Sequence, residues 1–240
     1  GAVALVDLAP TLLELAGLPP GEHAGMDGVS LRAALETGKV GTRNVYSETL
    51  YPRYHFGWSD LYASSDGRFR FILAPSPELY DLRQDPGERK NLAAARPNAV
   101  TSMEKWLAQA ASTVTAPEAV DAQTRERLAS LGYVGAAPAA AERGAVLADP
   151  KDKIASYEEL RRGLALRSRG QNQEAVDQLR KVVANDPQMV DAWETLGLSL
   201  ISLGRDKEGV EALDRVIGLD PLRAEPHLAL ARLYALGGDL

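Results

Sequence analysis

A repeat of constant length is the feature that most constrains the fold of this 240-residue chain. Glycine recurs every 34 residues at Gly170, Gly204 and Gly238, and Pro187 and Pro221 keep the same step. Periods of about 20 to 50 residues are typical of arrays whose units each bury an apolar face against their neighbours. We therefore expect the last part of the chain to form stacked repeats.

These residues resemble the tetratricopeptide-repeat family, whose unit is a pair of helices with small residues where the helices cross. Trp193, Leu196 and Gly197 fit the first helix of the second unit. Gly209 departs from the pattern, because the family usually has alanine there, and glycine costs about 0.5 to 1 kcal/mol in a helix interior. The resemblance implies an all-α solenoid over residues 151–240, with about two and a half units and a truncated C-terminus.

Residues 1–111 mix short apolar runs with Gly and Pro, which favours an α+β fold: a small antiparallel sheet with packed helices. A helix is expected to follow Asp7 as its N-cap, and helical spacing of apolar residues predicts another over 98–111. Asp66-Gly67 is a hairpin signal between two strands. The four predicted strands cover residues 44–49, 60–64, 69–73 and 78–81.

Residues 112–150 are rich in Ala, Pro, Thr and charge, with too little bulky apolar surface for a core. We predict a linker there, with a short docked helix near 124–134. Gly1 in place of methionine, without a basic segment after it, suggests that the N-terminus of the natural protein is missing.

Charge and composition exclude several classes of function. The net charge of −6 comes with no cluster of Lys and Arg, so nucleic acid is a poor partner. No run of about 18 apolar residues occurs, so no membrane span is expected in this segment. The sequence has no cysteine, which excludes disulfides and thiolate metal sites within it.

Three blocks resemble the sulfatase family of the alkaline-phosphatase superfamily. The first is VALVDLAPTLLELAG at 3–17, followed by GMDGVSL at 25–31. The second is DGRFRFI at 66–72, followed by ELYDL and Asp-Pro within 78–92. The third and least specific is RERLASLGYV at 125–134, which is similar to tails that join sulfatase domains to tetratricopeptide repeats.

The resemblance implies that the full-length parent hydrolyses a sulfate ester with a formylglycine made from Cys or Ser and with a divalent cation, calcium. In the family, the nucleophile motif, the metal ligands and the catalytic Lys and His lie upstream of the block around Asp7. The resemblance thus assigns no catalytic, cofactor or metal residue to this segment, which is expected to be inactive alone. It is compatible with an exported or periplasmic protein, but the compartment stays open.

Residues 48–58 are the segment that could still contact substrate, because the family places this region near the mouth of the cleft. Arg53 offers a planar fork for an anion, and His55 is a neighbouring donor. These two are the candidate substrate-binding residues. The alternative is that Tyr54, Phe56 and Trp58 are packing residues and that Arg53 and His55 only solvate or cap a loop.

Tetratricopeptide arrays form a groove lined by the first helix of each unit, and here those positions are mixed apolar and acidic. They are Tyr157, Leu160, Leu164, Asp191, Glu194, Leu198, Ile201 and Glu225. Such a groove could take an apolar or basic peptide, bind a second copy of the chain, or pack on the neighbouring domain.

The leading hypothesis is a C-terminal portion of a sulfatase-like hydrolase with repeats for protein–protein interaction. One alternative is an interaction or scaffold protein whose sulfatase-like part is not catalytic. Another is a phosphate or phosphonate ester hydrolase of the same superfamily.

Overall fold

The computed structural model describes residues 1–18, 25–112 and 147–237. The short helix predicted near 124–134 and most of the predicted linker lie outside the described residues. The described residues form two compact units. The sheet unit comprises described residues of 1–49 and 61–112, and the helical unit comprises 50–60 and 147–237.

Four antiparallel strands in sequential order form the sheet. They are β1 (Val45–Thr49), β2 (Leu61–Ser65), β3 (Phe69–Leu73) and β4 (Glu78–Asp81). The predicted strands are confirmed to within one residue at each end. The β2–β3 hairpin turns where Asp66 accepts hydrogen bonds from the backbone N–H of Phe69 and Arg68, at 2.7 and 2.8 Å.

The core of the sheet unit lies between one face of the sheet and helix α4 (Pro97–Ser112). Phe71 and Leu79 are paired in register on β3 and β4, and both are fully buried. Leu107 of α4 packs against them. Full burial of each such side chain stabilises the fold by about 1.5 to 3 kcal/mol, so this contact holds α4 on the sheet.

Asp7 lies at the junction of a 3₁₀ turn (Leu5–Asp7) and helix α1 (Leu8–Leu15). The helix was predicted, but the expected cap is wrong, because the Asp7 side chain makes no capping hydrogen bond to α1. Its buried carboxylate instead accepts from the backbone N–H of Ala4 and Val29 and pairs with Arg43. Asp7 therefore joins three segments of the sheet unit.

A further short helix, α2, covers Arg32–Thr37. It was not predicted. The left-handed conformation of Gly38, with φ of 69°, ends it.

Five helices of the helical unit follow the predicted repeat. They are α5 (Ile154–Ser168), α6 (Asn172–Asn185), α7 (Val190–Ser202), α8 (Asp206–Leu219) and α9 (Ala224–Ala235). Gly170 and Gly204 have positive φ of 75° and 71° after α5 and α7. After α9, Gly237 has a positive φ of 74°, and Gly238 lies outside the described residues.

Small residues lie where paired helices cross, as the repeat predicted. A Cβ added to Gly163 of α5 would come within 2.6 Å of Leu179 of α6. Gly197 of α7 stands 34 residues further on, and a Cβ there would come within 2.8 Å of Leu213 of α8. Real Cβ atoms do not approach neighbours so closely, so a larger residue at either position would require the facing leucine side chain to shift.

Helix α3 (Tyr51–Phe56) connects β1 to β2, yet it packs within the helical unit. No element was predicted for this segment. Pro52 in its first turn favours the start of the helix, and Gly57, with φ of 70°, ends it. Phe56 and Trp58 are each 5% exposed and share one buried cluster with Leu160 of α5.

Candidate functional site

Arg53 and His55, the predicted substrate-binding residues, both lie on α3. The Arg53 Nη1 atom is 3.4 Å from both carboxylate oxygens of Asp60. About a third of the Arg53 side chain is exposed. Because charge-assisted hydrogen bonds are usually about 2.7 to 2.9 Å long, this pair is loose, and its guanidinium stays accessible to an anion.

His55 is held more firmly. Its Nδ1 atom is 3.0 Å from each carboxylate oxygen of Asp191 on α7, and its ring stacks on Tyr51 at 3.9 Å between centroids. An ionised carboxylate only accepts hydrogen bonds, so Nδ1 donates. The contact fixes the orientation of the ring.

Asp191 belongs to a charged network that sequence reasoning did not find as a whole. Nη2 of Arg223 donates to Asp191 at 2.6 Å, and Nε of Arg223 donates to Glu194. Burial works against the charged form of Arg223, but these two carboxylates outweigh it and raise the pKa of the guanidinium. Asp191 and Glu194, two of the three acidic positions of the predicted groove, are therefore neutralised within the helical unit.

Arg223 itself was missed as a site residue. It follows Pro221 and precedes α9, and its carboxylate partners lie 29 and 32 residues earlier. These separations are close to one repeat length, so a search for charge pairs about one repeat apart could have found it.

An aromatic cluster surrounds the end of α3. The ring of Phe56 lies 4.7 Å from that of Trp58 and 5.6 Å from that of Tyr157 on α5. Phe56 and Trp58 are thus packing residues, as one of the two interpretations of this segment predicted, but the prediction is wrong for Tyr54, which is exposed. Arg53 and His55 lie on the same short helix as the buried Phe56.

Two of the cavities formed by the described residues lie within the sheet unit. One of about 700 Å³ is lined by Ser47, Ala63, Arg70 and other residues of the open face of the sheet. One of about 840 Å³ is lined by residues that include Arg43 and Trp106. Neither is lined by Arg53 or His55.

The described residues contain no group of three or more His, Cys, Asp and Glu side chains placed to hold a metal ion. Across those same residues, no helix has the length and apolar character needed to cross a membrane.

The protein combines two classes of fold. An α+β unit, with a small antiparallel sheet and packed helices, is followed by an all-α array of paired helices with a constant repeat length. Residues 160–224 match the tetratricopeptide repeat family. The chain is 33% identical over 129 residues to an uncharacterized sulfatase of Schizosaccharomyces pombe, covering 48% of this chain and 23% of that protein.

Two other curated proteins and one solved structure are also similar. Arylsulfatase K of Xenopus laevis is 33% identical over 44% of this chain and 21% of its own length. A Delta 4,5-hexuronate-2-O-sulfatase of Bacteroides thetaiotaomicron is 35% identical over 37% of this chain and 19% of its own. The crystal structure of a phosphonate monoester hydrolase of Agrobacterium radiobacter is 28% identical, with a TM-score of 0.33, over 44% of this chain and 24% of that protein.

The chain spans about a fifth of the length of the curated relatives it matches. It is similar to sulfatases and carries tetratricopeptide repeats. Both resemblances seen in the sequence are thereby confirmed.

Proposed function

We propose that the full-length protein hydrolyses a sulfate ester and that this chain is the C-terminal portion of that hydrolase. The similarity to curated sulfatases of three organisms carries this proposal. The tetratricopeptide match supports a second role in protein–protein interaction or self-association.

Catalysis belongs, in this proposal, to residues outside this 240-residue chain. Calcium and formylglycine enter only through the similarity to sulfatases. The chain alone is expected to leave sulfate esters intact, and its contribution is to shape substrate binding.

Arg53 is the proposed contact for the sulfate group. Its guanidinium presents several N–H donors in one plane, which suits tetrahedral oxyanions. About a third of the Arg53 side chain is exposed, and its ion pair with Asp60 is long. Such a pair contributes at most about 1 kcal/mol to the stability of the fold. Exchange of that partner for a sulfate is therefore inexpensive.

His55 is the proposed neighbouring donor. Since Nδ1 already donates to Asp191, only Nε2 is left to meet a substrate.

The test compares the full-length reading frame with the 240-residue chain on an aryl sulfate with added calcium. Activity in the full-length protein alone supports the proposal, and activity in the isolated chain overturns it. Absence of activity in both, with turnover of a phosphate or phosphonate ester by the full-length protein, would favour the related hydrolase. Absence of any ester hydrolysis would favour the scaffold protein.

The role of Arg53 is tested in the active full-length protein. We expect Arg53→Ala to raise KM at least about tenfold and Arg53→Lys to raise it less, because lysine keeps the charge but loses the planar fork. Arg169→Ala, an exposed arginine beyond α5, is the matched control. An unchanged KM in Arg53→Ala would assign Arg53 to surface solvation.

A further inference from the structure

Helix α3 lies on the same face of the array that a peptide ligand would use. That face, named the first-helix face, is defined by Tyr157 and Leu160 of α5 and by Asp191 and Glu194 of α7. We propose that its resident ligand is α3 of the same chain. The array then binds the β1–β2 connection in cis, and a partner protein reaches this part of the face only by displacing it.

The first argument is the apolar anchor. Phe56 and Trp58 are each 5% exposed, and both belong to the buried cluster that contains Leu160. Phe56 also contacts the ring of Tyr157. A short helix that inserts aromatic side chains between array helices is a recurring form of helix-in-groove recognition.

The second argument is the polar contact. Asp191 accepts from Nδ1 of His55 at 3.0 Å and from Arg223 at 2.6 Å. Its side chain is 16% exposed. The acidic residue that would attract a basic peptide is therefore already shared between α3 and Arg223, and such a peptide has no free carboxylate to meet at this position.

The third argument is that the segment is also held after the helix ends. A Cβ added to Gly57 would lie 2.6 Å from Cβ of Gln188, in the turn before α7. The backbone N–H of Ser59 donates to the carbonyl oxygen of Ala148 at 2.9 Å. Residues from Phe56 to Ser59 therefore all contact the helical unit, so a continuous stretch of chain is held in place and not one side chain alone.

This arrangement has a consequence for the segment that carries Arg53. Residues 50–60 make their tertiary contacts within the helical unit. Loosening of the array should therefore release this segment, and occupation of the first-helix face by a partner should do the same. All of these contacts lie inside the helical unit. They do not depend on which ester the full-length protein hydrolyses.

The first experiment uses the absence of cysteine from the chain. His55→Cys and Asp191→Cys are introduced together into the 240-residue chain, which is then treated with a short bismaleimide. We expect a cross-link within one chain, identified as a linked peptide pair by mass spectrometry. The control pairs His55→Cys with Glu211→Cys, an exposed position on α8, and should give none.

Two outcomes overturn the proposal. Cross-linked dimers in place of cross-linked monomers would mean that α3 binds the face of a second copy. No cross-link between positions 55 and 191, or one as strong in the control, would mean that α3 does not occupy the face.

The second experiment keeps the native charges and measures amide hydrogen exchange of the whole chain. Phe56→Ala should speed exchange in α7 at least about tenfold, since a loss of about 1.4 kcal/mol in local stability is tenfold in the opening equilibrium. Tyr54→Ala removes an aromatic ring from the same helix at a position 37% exposed and should leave α7 unchanged. Equal effects of the two variants on α7, or no effect of Phe56→Ala, would contradict the proposal.

Discussion

His55 donates from Nδ1 to Asp191 across 136 positions of the chain, at 3.0 Å. The two residues were both singled out from the sequence, one as a candidate substrate contact and one as a groove residue. The structure places the two residues in contact, because residues 50–60, which connect β1 to β2, pack within the helical unit. Any variant in residues 50–60 must therefore be tested for the stability of the array as well as for substrate binding.

Trp58 gives a direct measure of that packing. It is 5% exposed, and its Nε1 has no acceptor among the described residues. Trp58→Ala should lower the free energy of unfolding of the helical unit by about 3 kcal/mol, as for other large-to-small changes in a core. Trp58→Phe should cost less than about 1 kcal/mol, because it keeps a ring and removes the unpaired N–H.

Urea unfolding followed by far-ultraviolet circular dichroism measures both variants, since the helices dominate that signal. A loss below about 0.5 kcal/mol in Trp58→Ala would show that the indole does not stabilise the core.

Gly209 tests whether the departure from the repeat pattern is a defect or a requirement. A Cβ there would lie 2.6 Å from Cγ1 of Ile201 and 3.1 Å from the carbonyl oxygen of Gly197. Gly209→Ala should therefore destabilise the array by about 1 kcal/mol, although alanine is the better helix former. Gly218 of the same helix has nothing within 4 Å of an added Cβ, and Gly218→Ala should stabilise by about 0.5 kcal/mol.

Melting temperatures of the two alanine variants would move in opposite directions. Stabilisation by Gly209→Ala would mean that α7 and α8 can separate without cost, contrary to the tight crossing.

Asp7 is the polar centre of the sheet unit. Its buried carboxylate accepts from the N–H of Ala4 at 2.8 Å and of Val29 at 3.0 Å and pairs with Arg43. Asp7→Ala leaves these donors without an acceptor, so we expect a loss on the order of 2 kcal/mol. Faster amide exchange of Val29 should accompany it.

Asp27→Asn, a change at an exposed aspartate nearby in sequence, is the control for loss of charge. If Asp7→Ala were no less stable than this control, the carboxylate would have no structural role.

Stability of the sheet unit should fall in acid. Burial opposes ionisation of Asp7 and Asp81, but hydrogen bonds from backbone N–H groups and from Arg43 and Arg68 outweigh it and lower the pKa of both carboxyls. Their stabilising effect is thus fully present above about pH 4, the range of an unfolded aspartate, and is lost as pH falls through the lower folded-state values.

This loss of stability is measured as amide exchange in β3 and β4 between about pH 5 and pH 2. After correction for the intrinsic rate, exchange should become faster as the pH falls. The double variant Asp7→Asn, Asp81→Asn should show a flatter dependence on pH. A slope as steep as that of the natural sequence would assign the acid sensitivity to other groups.

Local pattern was sufficient for much of the fold. The 34-residue spacing predicted the paired helices, and short apolar runs bounded by Gly and Pro predicted the four strands of the described residues. These predictions succeeded because each depends on residues that are close in sequence. The sulfatase resemblance also came from contiguous blocks, and the comparisons confirm it.

The tertiary structure alone decided where residues 50–60 pack and what Asp7 does. Phe56 and Trp58 could serve any apolar core, and no local pattern states that theirs is the cluster around Leu160. Asp7 before a helix is typical of a cap, but its carboxylate accepts from the nearby N–H of Ala4 and from two distant donors, Val29 and Arg43. Contacts between residues far apart in sequence depend on the summed packing within each unit. The sequence therefore determined which side chains are present, and the tertiary structure decided which of them contact each other.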